Sequence, residues 1–232
     1  MKQLINITLC LLMASTFALK AQHTSVLKEN RELPPFEKIK ATKGINITLI
    51  EGTQQNVEVN IQNASLSDVV TTVENKTLVL KMKTRIYKNM AVQVYVTYTK
   101  IREIDAGMGA SVDAENTITA DNLKISAGAD TNIELDVEVK NALEVSLGAA
   151  KATITGSAKY QDISANTGSR YMGFDLTSEE AFVKANTGAT IQVNASEKVQ
   201  ASAATGAVVE YKGTPANFEY KESLGGKVIQ VD

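Results

Sequence analysis

Leu123-Lys-Ile-Ser-Ala-Gly-Ala129 is followed twenty residues on by Leu143-Glu-Val-Ser-Leu-Gly-Ala149. The same step, a glycine beside a small residue, occurs at Gly109-Ala110, Gly168-Ser169, Gly188-Ala189 and Gly206-Ala207. The intervals between successive glycines are 18 to 20 residues, and Gly225-Gly226 is a degenerate last copy. A fixed period in this range marks a stacked-repeat architecture, in which each repeat is one structural unit.

Aligned on the glycine, the copies show two apolar columns. Three residues before it stand Ile125, Val145, Ala165, Ala185 and Ala203, and five before it Leu123, Leu143, Ile163, Val183 and Ala201. Apolar positions two apart are the signature of a strand with one buried face. Lys124, Glu144, Ser164, Lys184 and Ser202 fall between them and suit a solvated face. A second extended run follows each glycine, as in Thr131–Leu135, Lys151–Thr155, Tyr171–Leu176, Ile191–Val193 and Val208–Tyr211. Each period therefore reads as two strands and two turns. Strands of five or six residues span under about 20 Å, and coils of that size stack about 4.8 Å apart. The expected fold is all-β: a right-handed parallel β-helix with rungs of about 20 residues. The corner glycine is explained by access to φ > 0 and by close approach of successive backbones. Ser126, Ser146, Asn166 and Asn186, two residues before the glycine, read either as a hydrogen-bonded ladder up the stack or simply as turn-favouring residues.

The rest of the chain is organised around that array. Residues 1–21 read as a secretory signal peptide: a basic start at Lys2, an apolar run from Leu4 to Leu19, and a cleavage point at Ala21-Gln22. Cys10, the one cysteine, lies inside it without a lipobox, so the mature chain has no thiol for a disulfide, a zinc-thiolate site or a nucleophile. Loss of Lys2 and Lys20 leaves 26 acidic against 22 basic residues, and no basic patch points to nucleic acid. Residues 22–35 read as a linker ending at Pro34-Pro35. Residues 36–105 read as a β-rich N-terminal region that lacks the glycine repeat, and residues 106–232 as the β-helix. Alternation is clear in Phe36–Ala41, Ile45–Leu49, Val57–Ile61, Thr77–Met82 and Ala91–Thr97, with turns at Glu51-Gly52 and Glu74-Asn75-Lys76.

Phe36-Glu-Lys-Ile39, Lys43-Gly44-Ile45-Asn46 running on to Gly52, Thr77-Leu-Val-Leu80, Val92–Thr97 and the repeated Ser-x-Gly-Ala come in an order that resembles the head GIN domain family. Gly44-Ile45-Asn46 matches the letters of that name, and the resemblance covers nearly all of residues 36–226. Two middle repeats depart from it, with Asn-Thr-Gly in place of Ser-x-Gly-Ala. Members are described as putative auto-transporter adhesins of Bacteroidetes envelopes. The resemblance implies an exported all-β protein with β-helical character, and it carries over no catalytic residue.

The residues themselves point away from catalysis. Sugar hydrolysis needs two carboxylates at a defined separation. The position after Gly-Ala reads Ser111, Asp130, Ala150, Arg170, Thr190 and Val208, and Asp113, Asp136, Asp162 and Asp175 fall at differing phases. His23 is the only histidine and lies at the expected mature N-terminus, so no histidine triad or zinc site is expected. Gly107-Met-Gly-Ala-Ser-Val-Asp113 only echoes a calcium-binding repeat. No catalytic, cofactor-binding or metal-binding residue is assigned, and no cofactor is expected. Tyr171 with Phe174, and Tyr211 with Phe218 and Tyr220, read as small aromatic patches or as core. The expected function is a non-enzymatic protein of the periplasm or cell surface, an adhesin or envelope interaction protein, whose partner is an envelope or extracellular protein or glycan. Two other readings stay open: a carbohydrate-active enzyme of β-helix type, and a homo-oligomeric structural protein that self-assembles through the terminal rung around Val228–Val231. Any site is expected where the chain departs from its pattern, on the outward faces near Arg170–Phe174 or in the first half.

Overall fold

The computed structural model describes residues 26–42 and 44–232. The expected signal peptide, Cys10, His23 and Lys43 lie outside the described residues. Within them the chain is all strand and turn apart from one 3-10 turn at Leu66–Asp68.

The repeat region is a parallel β-solenoid, as its period predicts. Strands β12 (Asn132–Gly148), β13 (Lys151–Asn166), β14 (Arg170–Ala185) and β15 (Thr190–Ala204) stack in parallel, each on the next. The two strands and two turns expected per period become one long bent strand and one tight corner. The second corner is absorbed by register shifts inside the strands, between Val139 and Ala142 in β12 and between Thr153 and Gly156 in β13. Such bulges bend a strand without ending it. At Gly156 the bend brings a φ of 108°, and a Cβ there would lie 2.0 Å from the Val137 carbonyl oxygen of the rung below.

The first half belongs to the same stack. β2 (Lys38–Ala41) pairs in parallel with both β6 (Thr77–Met82) and β8 (Glu103–Ala106). β3 (Asn46–Glu51) does so with both β7 (Ala91–Tyr98) and β9 (Ser111–Ala114). The first rung in sequence is thus inserted between the rungs formed by residues 77–98 and 103–114. The boundary expected at residue 105 falls inside β8, which continues through β11 (Leu123–Ala127) into the second half of β12. Glu37 holds the inserted rung on both sides: its carboxylate meets Lys76 Nζ at 3.0 Å and Arg102 Nε at 3.1 Å. Lys38 pairs with Glu103 and Lys40 with Asp105 one rung on. Exposed pairs of this kind each add little stability, but opposite charges at matched positions disfavour a slipped order.

Antiparallel strands close the outer end of this region. β4 (Asn56–Gln62) pairs with β7, and β5 (Val69–Glu74) with β6 through a two-residue turn in which Asn75 and Lys76 both have positive φ. That is the geometry of a hairpin turn matched to strand twist. The stretch read as a linker contains β1 (Leu27–Arg31), antiparallel to β4. Arg31 Nη1 donates to the Val69 carbonyl at 2.6 Å and Nη2 to that of Leu66 at 2.8 Å. Five residues found an unpaired strand edge within reach, which their weak alternation did not announce.

The core is a set of columns running along the solenoid. Ile104, Ile125, Val145, Ile163, Val183 and Ala201 are stacked in register and buried. The narrow coil takes few large side chains; Tyr98, Tyr171 and Phe36 head the fully buried ones.

Candidate interaction surface

Strand register corrects the sequence alignment of the repeats. Ala127 lies level with Leu147, and Leu147 with Ala165, so Gly148 stacks on Asn166 rather than on Gly168. The corners at Gly109, Gly168, Gly188 and Gly206 place glycine at positive φ, as expected. Gly128 and Gly148 stand two positions earlier in their corners, and the left-handed residues there are Asp130 and Ala149. The four-membered ladder therefore divides. Ser126 and Ser146 stack with Asp105 and Ser164, while Asn166 stacks with Asn186. Among the described residues no hydrogen bond joins the Asn166 and Asn186 side chains. The backbone carbonyl of Asn166 accepts from Ser169, through its backbone N–H at 3.2 Å and its hydroxyl.

Corrected register rewrites the outward columns. One reads Lys38, Glu103, Lys124, Glu144, Asp162, Phe182, Gln200 and Glu219. Its neighbour reads Lys40, Asp105, Ser126, Ser146, Ser164, Lys184, Ser202 and Lys221. Charge alternates at the N-terminal end. At the C-terminal end the columns frame a shallow groove of about 410 Å³. Asp162, Phe182, Lys184, Gln200, Ser202, Glu219, Tyr220 and Lys221 line it. Lys198 Nζ lies 5.2 Å from the Phe182 ring centroid, within cation–π range. An apolar ring among hydrogen-bonding side chains of both charges is chemistry that suits a polar polymer with apolar faces, such as a sugar chain or an extended peptide. Sequence reasoning missed Phe182, because the two-residue slip put Lys184 where Phe182 belongs.

The other expected positions fall differently. Tyr171 is fully buried, and burial pushes its hydroxyl well above the usual tyrosine pKa. It makes no patch with Phe174, over which Lys212 Nζ lies at 5.0 Å. Inside the solenoid the Tyr171 hydroxyl lies 3.4 Å from Gln161 Oε1, and Gln161 Nε2 donates to Ser178 Oγ at 2.7 Å and to the Asn194 carbonyl at 3.1 Å. Gly173 makes room for the ring, since a Cβ there would lie 2.4 Å from Tyr171 Cε1. The second aromatic group does assemble. Phe218 stacks on Tyr211 at 4.7 Å and on Tyr220 at 5.1 Å between ring centroids.

Several surface carboxylates at the N-terminal end are paired with cations. Glu37 is held below the usual carboxylate range chiefly by its hydrogen bond to Lys76, Glu103 by that to Lys38, and Asp121 by that to Lys140. A general acid needs the opposite shift. Among the described residues no group of three or more His, Cys, Asp or Glu is placed to hold a metal ion. No helix among them is long and apolar enough to cross a membrane.

Solved structures with this fold include proteins from Bacteroides and Parabacteroides species. A putative adhesin from Bacteroides fragilis superposes with a TM-score of 0.78 at 19% identity, over 89% of this chain and 97% of that one. A putative adhesin from Parabacteroides merdae gives 0.68 at 17% identity, over 90% and 98%. A putative lipid binding protein from Parabacteroides distasonis gives 0.68 at 13%, over 90% and 98%. At these identities the likeness is one of fold. None of the curated proteins matches the chain. The family model described as "Putative auto-transporter adhesin, head GIN domain" matches residues 35–215, and the chain belongs to that family.

Proposed function

We propose that this protein is an exported, non-enzymatic adhesin-type module of the cell envelope that holds a glycan or an extended peptide in the groove over Phe182. The observation that carries this reading is the groove itself, where a phenyl ring sits among Asp162, Lys184, Gln200 and Ser202. Family membership supports the adhesin role.

Glycan and extracellular-protein arrays probed with the purified chain test the reading. Binding should appear and should weaken at least tenfold in Phe182→Ser or Lys184→Glu, a loss of about 1.4 kcal/mol. Absence of binding to every envelope and host material would overturn it, as would release of oligosaccharides from a bound glycan. Fractionation of the native cell should place the protein outside the cytoplasm.

A further inference from the structure

The two ends of the solenoid differ. At the N-terminal end the outermost strands β1 and β5 are each paired on one side, and the Arg31 guanidinium of β1 caps the Leu66 and Val69 carbonyls. At the other end β17 (Asn217–Ser223) pairs on one side with β15, and β18 (Lys227–Gln230) on one side with β16 (Val208–Lys212). Among the described residues no strand is in register with their outer edges. Phe218 and Tyr220 stand in register with the buried Val199 and Ala201, in the inward phase, yet they are 38% and 59% exposed. Leu224 and Ile229 of the same rung are also exposed. An open strand edge flanked by apolar side chains is a template for another strand.

The residues of β17 say which strand. Placed antiparallel against its own copy about a two-fold axis through Tyr220, the strand sets Glu219 opposite Lys221 of the second copy, and Lys221 opposite its Glu219. On the inward side Tyr220 meets its own copy and Phe218 meets Glu222, while Asn217 faces Ser223 on the outer side. Moving the axis by one residue either way brings Glu219 against Glu219 or Lys221 against Lys221. Opposite charges directly across a strand pair stabilise and like charges destabilise, so the sequence selects one register.

We propose that the occupant of this edge is a second copy of the chain, joined through β17 in a two-fold dimer. The two solenoids then continue one into the other, and Glu219, Tyr220 and Lys221, which line the groove over Phe182, bring the two grooves together across the axis. The surface is isologous, so assembly closes at two. The inference is independent of what the groove binds. Two linked grooves would also raise avidity for a repeating ligand without any new contact.

Sedimentation of the purified chain over a concentration series tests it. A monomer–dimer equilibrium is expected. Glu219→Lys and Lys221→Glu should each weaken dimerisation at least tenfold by setting like charges opposite each other. The exchanged pair, E219K with K221E, should restore it. Monomer alone at every concentration, growth beyond two copies, or a dimer indifferent to both single exchanges would each overturn the proposal. Unchanged unfolding temperatures of the single variants in dilute solution separate a lost interface from a lost fold.

Discussion

Gly148 lies level with Asn166, while Gly168, its counterpart by sequence period, holds a corner position two residues further on. The visible glycine repeat is therefore two superposed signals. One set of glycines supplies positive φ; in the corners at Gly128 and Gly148 that duty falls to Asp130 and Ala149. For an L-residue the left-handed region costs roughly 1–2 kcal/mol.

Glycines should accordingly differ in tolerance. Ala149→Gly removes a side chain from φ 58° and should raise stability by about 0.5–1 kcal/mol. Gly156→Ala should cost more than about 3 kcal/mol, because the new Cβ would meet the Val137 carbonyl oxygen in a backbone conformation that disfavours side chains. Denaturant unfolding measures both. A Gly156→Ala protein as stable as the parent would show that the bulge is misplaced.

Gln161 occupies a column that is otherwise apolar, with Leu123, Leu143, Ala181 and Val199. Gln161→Leu restores that pattern but strands the buried Tyr171 hydroxyl. It should cost about 1–3 kcal/mol, the penalty of an unsatisfied buried group. Adding Tyr171→Phe should recover most of the loss. Additive effects in the double-mutant cycle would mean that the two side chains are not coupled.

The Tyr98 hydroxyl is buried without a hydrogen-bond partner among the described residues, and burial with nearby Glu51 pushes its pKa up from 10.0 to about 12. Tyr98→Phe should stabilise the protein by about 1 kcal/mol at neutral pH. The raised folded pKa makes stability fall as pH climbs from 10 towards 12, since the unfolded chain ionises first. The phenylalanine variant should lose less over that window. Equal alkaline loss in both proteins would assign it to other groups.

At the acid end the sign reverses. Glu37, Glu103 and Asp121 have folded pKa values below their unfolded values of 4.5, 4.5 and 3.8. Their contributions are present above those values and are lost as pH falls through the folded ones. Unfolding midpoints should drop below about pH 4.5, less steeply in Glu103→Gln and in high salt, since these pairs are solvent-exposed. Salt-independent acid sensitivity would rule out the surface pairs as its source.

The sequence by itself determined the stacked all-β architecture, the inward faces and the family. Each is written in local periods: alternation of apolar residues, a fixed spacing between corners, a set order of short motifs. The Tyr211–Phe218–Tyr220 cluster was legible too, because the three residues sit close together in the chain. Only the tertiary structure decided how rungs align. Leu147 to Ala165 and Lys151 to Arg170 are both in register, although one corner holds three residues and the next holds four. Counting along the chain cannot absorb that difference, whereas hydrogen bonding between neighbouring strands does. For the same reason the Phe182 groove and the insertion of β2–β3 between later rungs could not be read in advance. Both are set by which strand edge a segment pairs with across many intervening residues, and that choice is made by contacts between rungs rather than within them.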